Sequence, residues 1–219
     1  MGELLLAVAV FLVTHLLAAV RPLRAALVRV MGERAYIIGF SLVSLALVVW
    51  LGFAYAAAPY VELWPYMPEL RWIPLLVMPV ACVLIVAGLM SRNPFSLGAG
   101  AEGYDAARPG IVVVTRHPAV WGLVLWSLVH IPVNGDAASL ILFGLLSLLG
   151  VGGPKSLDAK RKRTLGEAQW QALLAQTRET SAMAGLAQAG MIRIAAGLVL
   201  YGLLLLAHEA VIGIDPFPV

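Results

Sequence analysis

The chain has one cysteine, Cys82, so an intrachain disulfide and a cysteine-rich metal cluster are both excluded. Charge is scarce as well. Only 12% of the residues are charged, where an ordinary soluble domain carries about a quarter. Carboxylates and thiolates do not cluster within the apolar runs, which leaves a zinc or di-iron centre at membrane depth without ligands. The net charge is a modest +3, and nothing in its distribution calls for a nucleic-acid partner. The start of the chain lacks the basic leader and small-residue cleavage site of a removable signal, so the first apolar run reads as a retained span. Repeats and low-complexity tracts are absent.

What the chain does have is apolar length. It is 61% hydrophobic with a mean hydropathy of +0.91, in long runs separated by short polar stretches. That pattern implies an all-α polytopic membrane bundle, because a helix satisfies its own backbone groups inside lipid. At 219 residues the expectation is one transmembrane domain over residues 1–219. The expected spans are Leu4 to Val20, Ile37 to Ala58, Ile73 to Met90, Ala119 to Ile131, Ala137 to Val151 and Ile194 to Ile212. The fourth and fifth are short, at ~1.5 Å of rise per residue, and read as a hairpin around Pro132 to Asp136 that crosses a thinned region or re-enters. Of the 15 lysines and arginines, 14 fall on one side of this arrangement and only Arg71 on the other. The basic side faces the cytoplasm, which puts both termini outside and suggests a bacterial-type inner membrane.

Two cytoplasmic segments are long enough for structure. Ser91 to Thr115 is rich in Gly, Pro and Ala and reads as an ordered loop over the bundle mouth. Residues 154–190 interleave Leu157, Leu165, Trp170, Leu173 and Leu174 with the basic run Lys160 to Arg163. They read as an interfacial segment resting on lipid headgroups, or as a plain topology signal.

The candidate chemistry lies in four histidines. His15, His130 and His208 fall within spans, where an ionisable group is costly and is a site hypothesis by default. A neutral imidazole is also a common metal ligand. Two imidazoles facing each other suit a haem iron, with Phe11, Gly52, Trp121, Gly122 and Trp126 as flat or small neighbours. The competing reading is hydrogen bonding to neighbouring carbonyls and ordinary helix packing. His117 stands apart in Arg116-His117-Pro118, at the start of the fourth span. Arg116 and His117 at a helix N-terminus make a positive pocket for an anion such as a propionate or a phosphate. Snorkelling by Arg116 is the simpler alternative.

Several of these motifs also carry a resemblance. His15 followed by Arg21-Pro22-Leu23-Arg24 opens it. Gly110-Ile111, Thr115-Arg116-His117-Pro118, Trp121-Gly122, Trp126, His130 and Asn134-Gly135-Asp136 continue it. Lys160 to Gly166 with Trp170, then Tyr201, His208, Gly213 and Pro216, complete it. On these features the sequence resembles the NnrU family of membrane proteins, to which the plant-type zeta-carotene isomerases are also similar. The resemblance implies haem b held by His15 and His130 as axial ligands, with Arg116 and His117 meeting propionates or an anionic substrate group. It implies either a role in nitrogen-oxide metabolism or redox-dependent cis-trans isomerisation of a lipophilic conjugated isoprenoid, with membrane lipid and a redox partner around it. Depth alone pairs His130 with His208 instead. Arg116-His117-Pro118 with Gly122 is also similar to the S-adenosylmethionine site of the isoprenylcysteine and phospholipid membrane methyltransferases. The acidic pair of those enzymes is replaced here by Lys160-Arg161-Lys162-Arg163. A non-catalytic membrane partner of a nitric oxide or nitrite reductase is the third reading.

Overall fold

The computed structural model describes residues 1–218. Its elements are helices α1 (Gly2–Ala19), α2 (Arg21–Met31), α3 (Glu33–Ala56), α4 (Trp72–Met90), α5 (Ile111–Val114), α6 (Pro118–Asn134), α7 (Ala137–Leu165), α8 (Glu167–Glu179), α9 (Ala182–Gln188) and α10 (Met191–Ile212), with a 3-10 turn at Pro68–Arg71. Five stretches are long and apolar enough to cross a membrane: α1, α3, Pro68–Met90, α7 and α10. Helix α6 is apolar too but has only 17 residues. Among the described residues there is no β-strand beyond one isolated bridge, Glu62 with Asp136. This is the all-α, multi-pass architecture expected from the hydropathy.

Contacts divide the chain into two compact units. The first comprises residues 1–64 and 136–142. Here α1 packs on α3, burying Leu4, Ala7 and Phe11 from one helix and Leu51 and Ala54 from the other. The segment Arg21 to Met31 folds as a short helix with no buried residue. Arg24 pairs with Glu33 at 3.2 Å and lies over the Tyr36 ring. Asp136 caps α7: its carboxylate accepts from the Ser139 amide at 3.0 Å and the Ser139 hydroxyl at 2.5 Å. The Ser139 hydroxyl also meets the Tyr55 hydroxyl at 2.8 Å.

The second unit comprises residues 65–135 and 143–219, of which 65–135 and 143–218 are described. Helix α4 is its centre, flanked by α6 and α10. Lipid supplies no hydrophobic drive between helices, so contact depends on close backbone approach. Gly122 is the clearest case. A Cβ there would lie 2.6 Å from both the Ala81 carbonyl oxygen and an Ile85 side-chain carbon. Gly122 therefore belongs to the α4–α6 seam and does not line a flat ligand. Hydroxyls join other seams: Ser127 meets Ser147 at 2.9 Å, and Tyr201 donates to the Leu75 carbonyl at 3.1 Å.

Helix α7 differs from the expected short span. It starts at Ala137 as expected but runs 29 residues, through Pro154, to Leu165. Residues 155–165 are dominated by Lys, Arg, Ala and Leu, which favour helix, and the helix stops only before Gly166. Residues 154–190 hold the end of α7, then α8 and α9. Trp170 is only 3% exposed and packs edge-on against Phe95 at 5.2 Å. Both join a core with Ala87, Ile111, Val112 and Ala189, against which Leu165, Leu173 and Leu174 rest. These side chains cover part of the protein's own 91–115 loop.

Replacing Gly122 with valine should destabilise the chain by about 1–3 kcal/mol through overpacking. Gly52→Ala, at a position where a Cβ meets nothing within 4 Å, should change little. Thermal unfolding in detergent of both variants checks this, and equal melting temperatures would contradict the seam.

Candidate functional site at the α6 entrance and the span histidines

The ordered loop after α4 is organised by Asn93, which is fully buried. Its side-chain oxygen accepts from the amides of Phe95 (2.9 Å) and Ser96 (3.2 Å). Its side-chain nitrogen donates to the Arg116 carbonyl at 2.9 Å. One amide thus fixes the loop and the backbone of the Arg-His-Pro triplet together. Sequence reasoning did not single it out, although Asn-Pro at 93–94 is a turn signal.

His117 occupies the N-cap of α6 and Pro118 its first turn. Both Arg116 and His117 turn toward a residue that the sequence reading passed over, Asp158 on α7. Arg116 Nη2 lies 2.8 Å from Asp158 Oδ2, and His117 Nε2 lies 2.9 Å from Oδ1. The carboxylate thereby serves two partners and ties α7 to the start of α6. A negative group is also favoured at that helix end by the peptide dipoles. The i, i+4 spacing that flags an ion pair within one helix is useless here, since 42 residues separate Arg116 from Asp158.

His117 is only 3% exposed. Burial holds its pKa below the ordinary histidine value of 6.5, partly opposed by the Asp158 carboxylate. The imidazole is therefore neutral near pH 7, donating from Nε2 to Asp158. Its Nδ1 and the Nε of Arg116 are buried without a hydrogen-bond partner. Beside them is a cavity of about 320 Å³, lined by the valines of α5, Thr115, Arg116, His117, Trp121 and Pro154, and by Leu174, Thr177 and Arg178 of α8. Thr177 is itself anchored by the Tyr104 hydroxyl at 2.9 Å.

The span histidines follow one rule. His15 Nδ1 lies 2.7 Å from the Phe11 carbonyl, and His130 Nδ1 lies 2.6 Å from the Trp126 carbonyl. Each carbonyl is one turn earlier and can only accept, so each Nδ1 carries the proton and each Nε2 the lone pair. His15 stacks on Phe11 with 4.0 Å between centroids and meets Phe40 edge-on at 5.5 Å. Its Nε2 is 3.4 Å from the Ser44 hydroxyl, which donates to it. His130 stacks on Phe143 at 5.1 Å, with Trp126 at 5.8 Å. His208 Nδ1 is used differently, bonding the Ile214 carbonyl at 2.8 Å beyond the end of α10. Ser127 is committed to Ser147 and the Val124 carbonyl. Among the described residues no three His, Cys, Asp or Glu side chains gather to hold a metal ion.

Because α6 is one helix, His117 and His130 lie ~20 Å apart along its axis, at ~1.5 Å per residue. The two therefore stand at opposite ends of α6, and Arg116 and His117, which the resemblance would have meet propionates or an anionic substrate group, both engage Asp158.

The family model described as "NnrU protein" matches residues 3–216. The chain belongs to the NnrU family. The match takes in α1 through α10, so both units and all four histidines lie inside the family's extent. No curated protein and no solved structure matches the chain. The NnrU-type chain is a multi-pass membrane protein.

With the folded pKa of His117 below 6.5, the unfolded chain binds the extra proton first as pH falls. The stabilisation is full above about pH 6.5 and is lost on acidification toward the lowered folded value. Melting temperature against pH should show a steeper acid decline for the wild type than for His117→Gln. Asp158→Ala should cost roughly 1–3 kcal/mol at neutral pH, since it strands two donors. Parallel pH curves for wild type and His117→Gln would refute the assignment.

Proposed function

We propose that this NnrU-family chain is a haem b protein of the membrane, with His15 and His130 as the iron ligands. One observation supports the reading above the others. Each of the two imidazoles is oriented by a hydrogen bond from Nδ1 to a main-chain carbonyl, which leaves Nε2 as the basic nitrogen; that of His15 accepts only a long 3.4 Å contact from the Ser44 hydroxyl, which an iron would displace. Such a partner on the far ring nitrogen is what metal-ligating histidines ordinarily have, and it raises the basicity of the binding nitrogen. The resemblance to zeta-carotene isomerases points to the same two positions.

The donor set fits the group. An iron porphyrin needs one neutral imidazole on a face, not a cluster of three side chains. Phe11 and Phe143 hold the rings by stacking, which restricts their rotation about the side chain. When bound, haem b supplies a one-electron redox centre. The chain's part is to fix the two tautomers, exclude water with apolar helices and set the polarity around the rings. Either nitrogen-oxide chemistry or isomerisation of a conjugated lipophile would use these properties, and a redox partner would supply the electron. The distribution of basic residues supports an orientation with the inner face toward the cytoplasm of a bacterial-type inner membrane and both termini outside.

The methyltransferase reading rests on the cavity beside Arg116-His117-Pro118, with Asp158 as an acidic residue at that point. Absorption spectra separate the two. Detergent-purified wild type should show a Soret band that shifts on dithionite reduction. His15→Ala and His130→Ala should each lose bound haem by tenfold or more, while retaining helical circular dichroism. A colourless protein that binds S-adenosylmethionine would sink the haem reading in favour of transfer. A colourless protein that binds neither would leave histidines that only pack helices. Orientation is checked separately: a terminal alkaline phosphatase fusion should be active and a terminal fluorescent-protein fusion dark, and the opposite pattern would invert the topology.

A further inference from the structure

The entrance cavity is a second site, independent of the haem reading, and its walls specify a ligand. The cavity holds about 320 Å³, at the small end of the range for small-molecule sites. Arg116 gives one of its guanidinium nitrogens to Asp158, while its Nε, a permanent donor, has no hydrogen-bond partner.

The charge balance has the same sign. Arg116 and Arg178 line the cavity, whereas Asp158 is the one carboxylate bound to this group. Among the described residues, no Asp or Glu lies within ion-pair distance of Arg178. A positive charge is therefore left over, beside the N-terminus of α6, where the dipoles also favour an anion. The remaining wall is apolar: Val112, Val113, Val114, Leu174 and the half-exposed Trp121. A free inorganic ion would leave this wall bare.

We infer that the cavity binds an amphipathic oxyanion, a phosphate or carboxylate group carrying an apolar tail. The anionic group bridges Arg116 and Arg178, and the tail lies along the α5 valines and Trp121. Guanidinium groups suit this because their fork matches an oxyanion with paired hydrogen bonds. The position at the cytoplasmic end of a membrane helix allows two sources for the phosphate, a lipid headgroup or a soluble ion.

The test uses the full chain in phosphatidylcholine nanodiscs and radiolabelled dihexanoyl phosphatidate, with inorganic phosphate and dihexanoylglycerol as competitors. Saturable binding is expected, weakened about tenfold or more in Arg178→Gln, an exposed position where folding is safe. Arg116→Gln should weaken it similarly, with the size-exclusion profile as a check on folding. Inorganic phosphate that competes only at far higher concentration identifies a lipid headgroup as the source. Equal potency of inorganic phosphate identifies a soluble anion and removes the tail from the proposal. Absence of saturable binding overturns the site. So does binding that Arg178→Gln leaves unchanged, or that the neutral dihexanoylglycerol displaces as well as phosphate does. None of these readings depends on whether haem is present.

Discussion

A single carboxylate organises the α6 entrance of this protein. Asp158 receives a guanidinium on one oxygen and an imidazole on the other, and these come from the residues immediately before α6. Asp158 is partly exposed and His117 is buried, so the imidazole gains more from the pairing than the acid does. Once the pairing is made, the direction of α6 is set by His117 at its cap, and Asn93 fixes the preceding carbonyl from the other side. The cavity, the loop and the start of the helix are then consequences of two short-range attachments.

Inside the apolar region the rules change. Helices there have no hydrophobic reason to prefer each other to lipid, so the seams depend on small residues and on hydroxyls. Gly122 lets α6 approach the α4 backbone, and the Ser127–Ser147 pair joins α6 to α7. Histidine follows the same logic. Its proton cannot be left unsatisfied in hydrocarbon, so it goes to the second lone pair of the carbonyl one turn back. The pairing that spares this cost also fixes the tautomer, leaving the lone pair on the second nitrogen.

Much of this was legible in the sequence, and the reason is periodicity and length. Apolar runs state their own helices, and the span boundaries near Met90, Pro118 and Ile212 come directly from Pro, Gly and charge. His15 and His130 are conspicuous because any ionisable group is conspicuous there. Asp158 was not conspicuous: it lies in a run of charges that reads as a solvated face, and its partners are distant in the chain. Trp170 is a related case. An aromatic among basic residues has the signature of a headgroup anchor, and only the fold reveals that Phe95 lies beneath it. The cavity was invisible because α5, α6, α7 and α8 each contribute a fragment of it.

Cys82 has a practical consequence. Its side chain is wholly enclosed in α4, and there is no second thiol anywhere in the chain. Reagents that modify sulfhydryls from water will find the wild-type protein silent. Any cysteine engineered at an exposed position becomes a unique attachment point, so dyes, spin probes and crosslinkers can be installed singly without first stripping the native residue.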